Sequence, residues 1–247
     1  MVNGKKIIVV MPAFNAEKTL AATYQKIPND IVDEIILVDD CSLDQTASLA
    51  AGLGLTVFKH QKNLGYGANQ KTCYNHALKR DADIIIMLHP DYQYDPALIR
   101  PMAELIASGK GDLVLGSRFK QAGALSLGMP FYKFMANRIL TIFQNLVFSL
   151  KLSEYHTGYR AYNSHFLKTI HFEKNSDDFL FDNQLLAQAI YFNFKICEVA
   201  CPARYESESS SINFHRSLKY GFGVLSVTGQ YILQKLGWRA YNIFKRQ

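Results

Sequence analysis

Two adjacent carboxylates directly follow an apolar run in the first fifth of the chain. Asp39 and Asp40 end the segment Glu34-Ile-Ile-Leu-Val-Asp-Asp, and a polar turn then leads into a helical pattern. In an open α/β sheet, ligands bind beyond the carboxyl ends of the strands. Carboxylates at that position suit the hydroxyl and N–H donors of a ribose or a base, so the pair predicts a nucleotide site.

The same segment resembles the V-D-D-x-S-x-D-x-T signature of family 2 glycosyltransferases, which bind nucleotide-activated sugars. The first predicted strand ends in Met11-Pro-Ala-Phe-Asn-Ala-Glu17, which is similar to the family's P-x-Y/F-N-E opening with one residue inserted. Taken alone, that opening is also typical of a strand, turn and helix cap without a ligand. Together, the resemblance implies that both segments line one nucleotide-sugar site, through Pro12, Ala13, Asn15, Glu17, Asp39 and Asp40.

A polar segment after the fourth predicted strand resembles the family's D-x-D-x-Q motif, with His89 in place of the first Asp. The resemblance implies that a departing nucleoside diphosphate gains negative charge, which a divalent cation stabilises. Mg²⁺ and Mn²⁺ prefer oxygen ligands, and Mn²⁺ tolerates imidazole better. The expected cofactor is therefore Mg²⁺ or Mn²⁺ bound by Asp91, Gln93 and His89, or else His89 binds the ribose or a phosphate.

Two further segments resemble parts of the family that lie near the nucleotide. Asn63-Leu-Gly-Tyr-Gly-Ala-Asn-Gln-Lys71 is similar to the family's N-x-G-x-x-x-A segment, in which glycine lets the backbone approach a ligand. Gly65 and Lys71 are the candidates there, and Lys71 either reaches a phosphate or is solvated. Gly116-Ser-Arg118 matches the family's G-S-R, whose guanidinium either binds phosphate oxygens in a bidentate way or bridges to a surface carboxylate.

The second half of the chain carries further resemblances, mostly to the acceptor side of the family's site. His156-Thr-Gly-Tyr-Arg160 resembles the D-x-x-S-G-F-R turn, and Phe181-Asp-Asn-Gln-Leu185 resembles the end of the E-D-x-x-L motif. In many relatives that Asp deprotonates an acceptor hydroxyl, so Asp182 is either the base or a first-turn helix acid. The loop from Arg204 resembles the R-x-x-G-x-S-K loop of polyprenyl-phosphate transferases, with Arg204 and Ser210 as candidates.

The resemblance covers roughly residues 5–215 and is closest to the dolichol-phosphate mannosyltransferase-like branch. It implies a GT-A fold and an inverting transfer from a UDP- or GDP-linked sugar to a polyprenyl phosphate. Its catalytic residues would be Asp91, Asp182 and Arg118. Two alternatives stay open: transfer to a saccharide or other hydroxyl with Asp182 as base, and a degraded protein that only binds a nucleotide sugar.

The hydrophobic pattern predicts the elements that must position these residues. Short β-branched runs at 7–11, 35–39, 56–58, 84–88 and 113–116 lack polar alternation, which indicates parallel strands covered on both faces. Helical patterns lie between them at 17–27, 44–52, 66–80 and 96–108, with start signals at Asp44, Asp95 and Pro96. The alternation predicts a doubly wound, mostly parallel α/β sheet with helices on both faces, as in the Rossmann-like GT-A fold.

The pattern changes after about residue 118. Helices are predicted at 131–150 and 179–192 and a strand at 195–200, whereas 217–236 gives a weaker signal because three glycines interrupt it. One face of 131–150 is apolar, which predicts packing on the sheet in preference to lying on a membrane surface. We predict a transferase domain over 1–215 and a basic, aromatic, helical tail over 216–247.

The positive charge of the chain is concentrated in that tail. The formal net charge is +6, from 27 basic and 21 acidic residues, and no acid follows Glu208. The six cations after Glu208 indicate an anionic partner, such as a phosphate or a lipid headgroup, or else a solvated helix face. The formally neutral remainder argues against nucleic-acid binding.

Other features of the sequence bear on location and class. The four cysteines lack the spacing of a zinc site and are expected to be reduced. Neither a signal peptide nor a run of about 20 apolar residues is recognisable. No G-x-G-x-x-G follows the first strand, which argues against a dinucleotide-binding dehydrogenase. We expect a cytoplasmic protein, peripheral at the inner face of the cell membrane, and leave a homo-oligomer open.

Overall fold

The structure, a computed structural model, describes residues 1–120, 128–202 and 214–247. Within these residues seven strands form one sheet, namely β1 (Ile7–Ala13), β2 (Glu34–Asp39), β3 (Thr56–Lys59), β4 (Ile84–Met87), β5 (Leu113–Ser117), β6 (Arg160–Asn163) and β7 (Ile196–Ala200). Their order across the sheet is β3-β2-β1-β4-β6-β5-β7. The predicted site residues Arg204 and Ser210 lie outside the described residues.

Helices cover both faces of this sheet. They are α1 (Glu17–Tyr24), α2 (Thr46–Gly52), α3 (Tyr66–Leu78), α4 (Ile99–Ala107), α5 (Phe131–Phe148), α6 (Ser164–Thr169), α7 (Leu180–Tyr191) and α8 (Phe214–Lys235). Asp95 caps the short 3₁₀ turn before α4, because its side chain accepts a hydrogen bond from the Ala97 N–H at 3.0 Å. Pro96 occupies the first position of that turn, which requires no backbone donor.

The sheet is parallel except at β6, which runs antiparallel to both β4 and β5. The predicted GT-A-like α/β class is confirmed, but β6 itself was not predicted. It begins with the fully buried Arg160, whose guanidinium donates to the carbonyl oxygens of Thr157, Asp182 and Tyr155. A strand that starts with a buried charge lacks the apolar run by which the parallel strands are recognised.

The core lies on both sides of the sheet, as the continuous apolar strands predict. Alternate residues of β1 point to opposite faces, so Ile8 and Val10 pack on one side and Val9 and Met11 on the other. One layer contains buried residues of α3, α7 and α8, and the other contains those of α1 and α4. The carboxyl ends of β1, β2, β4 and β5 are thereby held rigidly at one edge.

Helix α5 packs with the opposite orientation to the one expected. Asn137, Thr141 and Gln144 are buried, whereas Phe131 is 68% exposed and Leu146 is 76% exposed. The interpretation that the apolar face packs on the sheet is therefore wrong. The reason is a set of polar partners inside the fold: the Asn137 amide donates to Glu154, and the Gln144 amide bonds Asn183 and Thr228, among others.

Helix α8 packs against α5 and α7 and adds Val227 and Tyr231 to the core. Its other side is apolar and exposed, with Leu218 and Phe222 both more than half accessible. The weak signal at 217–236 therefore marks a helix, while the division of the chain at residue 215 stays a prediction. Among the described residues, no helix has the length and hydropathy needed to cross a membrane.

The reversed orientation of α5 predicts an unusual pair of stability effects. Gln144→Leu should lower the free energy of unfolding by about 1–3 kcal/mol, because it leaves the buried Asn183 amide without its partner. Ile139→Ser, on the exposed face of the same helix, should change it by less than about 0.5 kcal/mol. Urea denaturation measures both, and a larger loss for Ile139→Ser would mean that the apolar face is the packed one.

Candidate active site

A cavity of about 1040 Å³ lies at the edge where the parallel strands end. The turn before β6 contributes His156 and Gly158 to this cavity, because an antiparallel strand begins where its parallel neighbours end. The structure brings ten of the predicted site residues to its wall, namely Pro12, Ala13, Asn15, Asp40, Gly65, His89, Asp91, Gln93, Arg118 and Asp182.

The two adjacent carboxylates have different environments. Asp40 lines the cavity and accepts hydrogen bonds from the backbone N–H groups of Leu64 and Gly65, at 2.8 and 2.9 Å. Its Oδ1 also lies 2.7 Å from Nδ1 of His60. Asp39 is fully buried away from the cavity wall and accepts from the Ser42 backbone N–H at 3.2 Å. Only Asp40 of the pair therefore faces the cavity, while Asp39 holds the turn that leads to α2.

The glycine-containing segment before α3 is fixed by the loop around Asp177. Gly65 has a φ of +98°, and a Cβ there would lie 2.8 Å from the Asp177 carbonyl oxygen, so a side chain is excluded. Lys71 is nearly buried and donates to the carbonyl oxygens of Glu173 and Asn175, at 3.1 and 2.6 Å, and to the Asp177 carboxylate at 2.7 Å. Lys71 thus joins α3 to this loop, and its ammonium is neither solvated nor on the cavity wall.

Asn15 and Glu17 connect the first turn to the second. The Asn15 side-chain oxygen accepts from the Leu43 N–H at 2.9 Å, and Glu17 Oε2 accepts from the Gln45 N–H at 3.0 Å. Asn15 adopts a left-handed φ of 51°, which asparagine tolerates better than most residues. Asn15 lines the cavity, whereas Glu17 is exposed outside it and braces the start of α2.

His89, Asp91 and Gln93 lie together on the cavity wall after β4. Asp91 Oδ1 accepts from the Gln93 N–H at 3.1 Å, which bends the segment into a turn. The part of the chain that the structure describes contains no group of three or more His, Cys, Asp or Glu side chains able to hold a metal. One carboxylate, one imidazole and one amide nevertheless fit a divalent ion that takes further oxygen ligands from a diphosphate, and this mixed set suits Mn²⁺.

Tyr66 connects two of the predicted residues, although its own role was not predicted. Its hydroxyl donates to Asp182 Oδ2 at 2.8 Å and lies 3.1 Å from Nε2 of His89. Burial and the Asp182 charge raise the pKa of Tyr66 well above its usual value, so the hydroxyl keeps its proton at neutral pH. The available signal was its position between Gly65 and Gly67 in a segment already assigned to the site.

Asp182 lies in the first turn of α7 and on the cavity wall, so its two predicted interpretations are compatible. The residue is only 6% exposed. Its Oδ1 is buried and has no hydrogen-bond partner among the described residues. The Arg160 guanidinium, with Nε 3.9 Å from that oxygen, supplies a countercharge. Asp182 thus lies on the cavity wall with one carboxylate oxygen, Oδ1, buried beside Arg160 and the other, Oδ2, bonded to Tyr66.

Arg118 pairs with a carboxylate, but the partner is buried and not on the surface. Its Nε donates to Oε1 of the fully buried Glu154 at 2.9 Å, and a second nitrogen donates to the His156 carbonyl oxygen at 3.1 Å. Burial raises the pKa of Glu154, but the Arg118 guanidinium outweighs this and lowers it below the usual value. Glu154 was missed, although it is an isolated acid just before the predicted 156–160 motif.

His156, the first residue of the 156–160 motif, also lies on the cavity wall. Its Nδ1 lies 2.9 Å from the Tyr220 hydroxyl, while its Nε2 is buried without a partner among the residues described. Burial lowers the pKa of His156 to about 3, with Arg118 and Arg160 adding to the effect and Glu154 opposing it. The imidazole is therefore neutral at neutral pH.

Helices α5 and α8 form the rim opposite the strand ends. Tyr132, Lys133 and Asn137 of α5 line the cavity, and so do Arg216 and Tyr220 of α8. Together with Arg118, the cations Lys133 and Arg216 make this side suited to an anion. The cavity thus has acids at the β2 and β4 ends and cations between the two helices.

Comparison with known proteins places this geometry in a family. The family model described as glycosyl transferase family 2 matches residues 8–170, which is more than half of the chain. The chain belongs to glycosyl transferase family 2. The match spans β1 to β6, and therefore the strand ends that carry Asp40, Asp91 and Arg118.

Two relatives of this family 2 transferase have names that specify a lipid phosphate as acceptor. A UDP-N-acetylglucosamine–dolichyl-phosphate N-acetylglucosaminyltransferase of Methanococcus voltae is 27% identical over 183 residues, covering 67% of this chain and 72% of the relative. An undecaprenyl-phosphate mannosyltransferase of Micrococcus luteus is 22% identical over 171 residues, covering 67% and 69%. The likeness to a dolichol-phosphate mannosyltransferase-like branch is thus only distantly supported.

A solved structure of similar fold is glucosyl-3-phosphoglycerate synthase from Mycobacterium tuberculosis in complex with Mn²⁺, UDP-glucose and phosphoglyceric acid. Its TM-score is 0.68 at 16% identity, and the match covers 99% of this chain and 86% of that one. At this level of identity the comparison confirms the fold.

The depressed pKa of His156 predicts that acid destabilises the protein. Between the ordinary histidine pKa of 6.5 and about 3, the unfolded chain binds a proton that the folded protein does not. The free energy of unfolding should therefore fall as pH falls through this window, by up to about 1.4 kcal/mol per pH unit from this group. His156→Asn should reduce the slope in urea denaturation between pH 7 and pH 4; equal slopes would contradict the assignment.

Proposed function

We propose that this chain transfers a sugar, with inversion, from a nucleoside-diphosphate sugar to a polyprenyl phosphate at a membrane surface. One observation carries the proposal: a single cavity joins acidic strand ends to a cationic rim formed by two helices whose outer faces are apolar. The first half of the cavity suits a nucleotide sugar, and the second suits an anion attached to a lipid. The two lipid-phosphate relatives support the same acceptor class.

The donor would lie across the ends of β1, β2 and β4. Asp40 and Asn15 line this part of the cavity and would meet the base or ribose of a UDP- or GDP-linked donor. Asp91, His89 and Gln93 would hold Mn²⁺ or Mg²⁺, which supplies positive charge to the departing diphosphate. Arg118, oriented by Glu154, would meet phosphate oxygens with its guanidinium.

The chemical step follows from this placement. An oxygen of the acceptor phosphate attacks the anomeric carbon, and the bond from that carbon to the diphosphate oxygen breaks, so the nucleoside diphosphate leaves with the electron pair. The acceptor is already an anion and needs no base. Lys133 and Arg216 line the acceptor half and would attract its charge. Their side chains would hold the phosphate, while the chain of the lipid leaves between α5 and α8.

The outer faces of α5 and α8 are the proposed contact with the membrane. The exposed α5 stripe consists of Phe131, Met135, Ile139, Ile142, Phe143 and Leu146, and α8 exposes Leu218, Phe222, Leu225 and Ile232. The two helices contain Lys133, Arg138, Arg216, Lys219 and Lys235 and no acidic residue. Apolar stripes flanked only by cations fit an anionic lipid surface.

A second candidate is transfer to a hydroxyl group. It is favoured by one observation: Asp182 lies on the cavity wall, and one oxygen of its carboxylate, Oδ1, has no hydrogen-bond partner among the described residues. Such an oxygen could accept the proton of an acceptor hydroxyl, which a phosphate acceptor would not require. The two candidates therefore differ in how strongly turnover depends on Asp182.

Substitutions of the two cavity carboxylates distinguish these reactions. With Mn²⁺, UDP- or GDP-sugars and a polyprenyl phosphate, Asp91→Asn should lower turnover by about 10²–10³-fold, because charge on the leaving group is no longer stabilised. At saturating Mn²⁺, Asp182→Asn should lower it by less than about 10-fold, because a phosphate acceptor needs no base. Mass spectrometry measures the product, and Glu104→Gln, on the exposed side of α4, is the control.

Two outcomes would contradict the lipid-phosphate proposal. A loss of about 10²–10⁴-fold in Asp182→Asn, the usual contribution of a general base, would favour the hydroxyl acceptor. Nucleotide binding without product, for every donor and both acceptor classes, would leave a protein that only binds nucleotide sugars.

The membrane contact makes a separate prediction. The wild-type protein should co-sediment with phosphatidylglycerol-containing vesicles, and added salt should weaken binding because exposed charges are screened within about 8 Å at physiological ionic strength. Ile139→Glu combined with Leu146→Glu should weaken it strongly, since both residues belong to the exposed α5 stripe. Leu43→Glu is the control, because Leu43 is 90% exposed but lies outside both helices.

The same double variant tests the main alternative for this surface. If the wild-type protein is a dimer without vesicle binding, and the double variant is monomeric by light scattering, the stripe is an interface between two copies. That result would overturn the membrane contact.

A further inference from the structure

Three residues on the cavity wall form a continuous hydrogen-bonded chain. The Tyr66 hydroxyl lies 3.1 Å from His89 Nε2 and 2.8 Å from Asp182 Oδ2. The rings of Tyr66 and His89 are stacked, with centroids 5.5 Å apart and an angle of 22°. This hydrogen-bonded chain joins His89, which replaces the first Asp of the family's D-x-D motif, to Asp182, the candidate base.

The number of available protons determines which groups donate in these two hydrogen bonds. Asp182 is ion-paired with the buried Arg160, so it is a carboxylate and can only accept hydrogen bonds. The single proton of the Tyr66 hydroxyl is therefore donated to Asp182. The Tyr66 oxygen must then accept its second bond from His89, which requires a proton on Nε2.

The other ring nitrogen of His89, Nδ1, then carries the lone pair. Nδ1 makes no hydrogen bond to any residue in the described ranges, whereas Nε2 is enclosed. A Cβ at Gly158 would lie only 2.8 Å from Nε2, so that edge of the ring is closed by backbone. His89 lines the cavity, as Asp91 does, and Nδ1 is the ring nitrogen that remains available as a ligand.

We infer that Tyr66 is a positioning residue that holds His89 as the Nε2–H tautomer, so that its bare Nδ1 serves as a metal ligand beside Asp91. The metal itself rests on the proposed function, whereas the tautomer does not. A ligating histidine commonly donates its second nitrogen to a carboxylate, and here the Tyr66 hydroxyl relays that bond to Asp182. A nitrogen ligand in place of a carboxylate favours Mn²⁺ over Mg²⁺.

Nitrogen NMR of the histidine side chains tests the tautomer without metal or substrate. Two-bond proton–nitrogen correlations distinguish protonated from bare ring nitrogens, and His89→Gln assigns the signals among the seven histidines. The wild-type protein should show Nε2–H at His89. Asp182→Asn should shift His89 towards Nδ1–H, because an amide can donate to the Tyr66 oxygen and thereby reverse the chain.

Metal binding tests the consequence. In the presence of UDP or GDP, whichever nucleotide the wild-type protein binds, Tyr66→Phe should weaken Mn²⁺ binding by about 10–100-fold, the usual effect of removing such a supporting group. Free Mn²⁺ is counted by electron paramagnetic resonance. The matched control is Tyr220→Phe, which removes the hydroxyl bonded to the other histidine of the cavity, His156, and should leave Mn²⁺ affinity unchanged.

The outcomes separate this inference from the proposed function. An Nδ1–H tautomer in the wild-type protein, or equal Mn²⁺ affinity in Tyr66→Phe and Tyr220→Phe, would overturn the role of Tyr66 and leave the proposed sugar transfer standing. A wild-type protein that shows the Nε2–H tautomer but binds no Mn²⁺ with either UDP or GDP would overturn the metal itself.

Discussion

The buried guanidinium of Arg160 is the constraint on which the cavity depends. A buried charge is tolerated only when it is paired and hydrogen-bonded, and Arg160 donates to three carbonyl oxygens from the 155–157 turn and α7. Burial alone lowers the pKa of Arg160, but the Asp182 carboxylate and three neighbouring tyrosines together outweigh this and raise it. The same contacts fix where β6 begins and how Asp182 faces the cavity, so fold and site share one set of interactions.

A charged interior also explains the orientation of α5. The side of this helix that faces the protein meets Glu154, which is paired with Arg118, and must therefore be polar. Its apolar residues have no place inside and face outward. The exposed hydrophobic stripe thus follows from the polar partners beneath the helix, and the proposed lipid contact would use a surface that these partners already require.

The strands whose ends carry the candidate site residues were predictable, because each is an apolar run that ends in a polar turn. What the sequence could not separate was the pair of adjacent carboxylates, since only the local backbone decides that Asp40 faces the cavity while Asp39 is buried. Lys71 was unpredictable for a related reason. Its three oxygen partners lie more than 100 residues away in the sequence, and no local sequence pattern indicates them.

His89 stands where the family's D-x-D motif has its first Asp, and this replacement requires a second residue to orient the imidazole. A carboxylate has two equivalent oxygens and several lone pairs, so it can ligate a cation from many orientations. A neutral imidazole has one lone pair, on whichever nitrogen lacks the proton, and is useful only if a partner fixes that choice. Tyr66 has the required reach, stacking and hydrogen bond. His89 and Tyr66 therefore act as one unit, and Asp182 sets the direction of their hydrogen bonds.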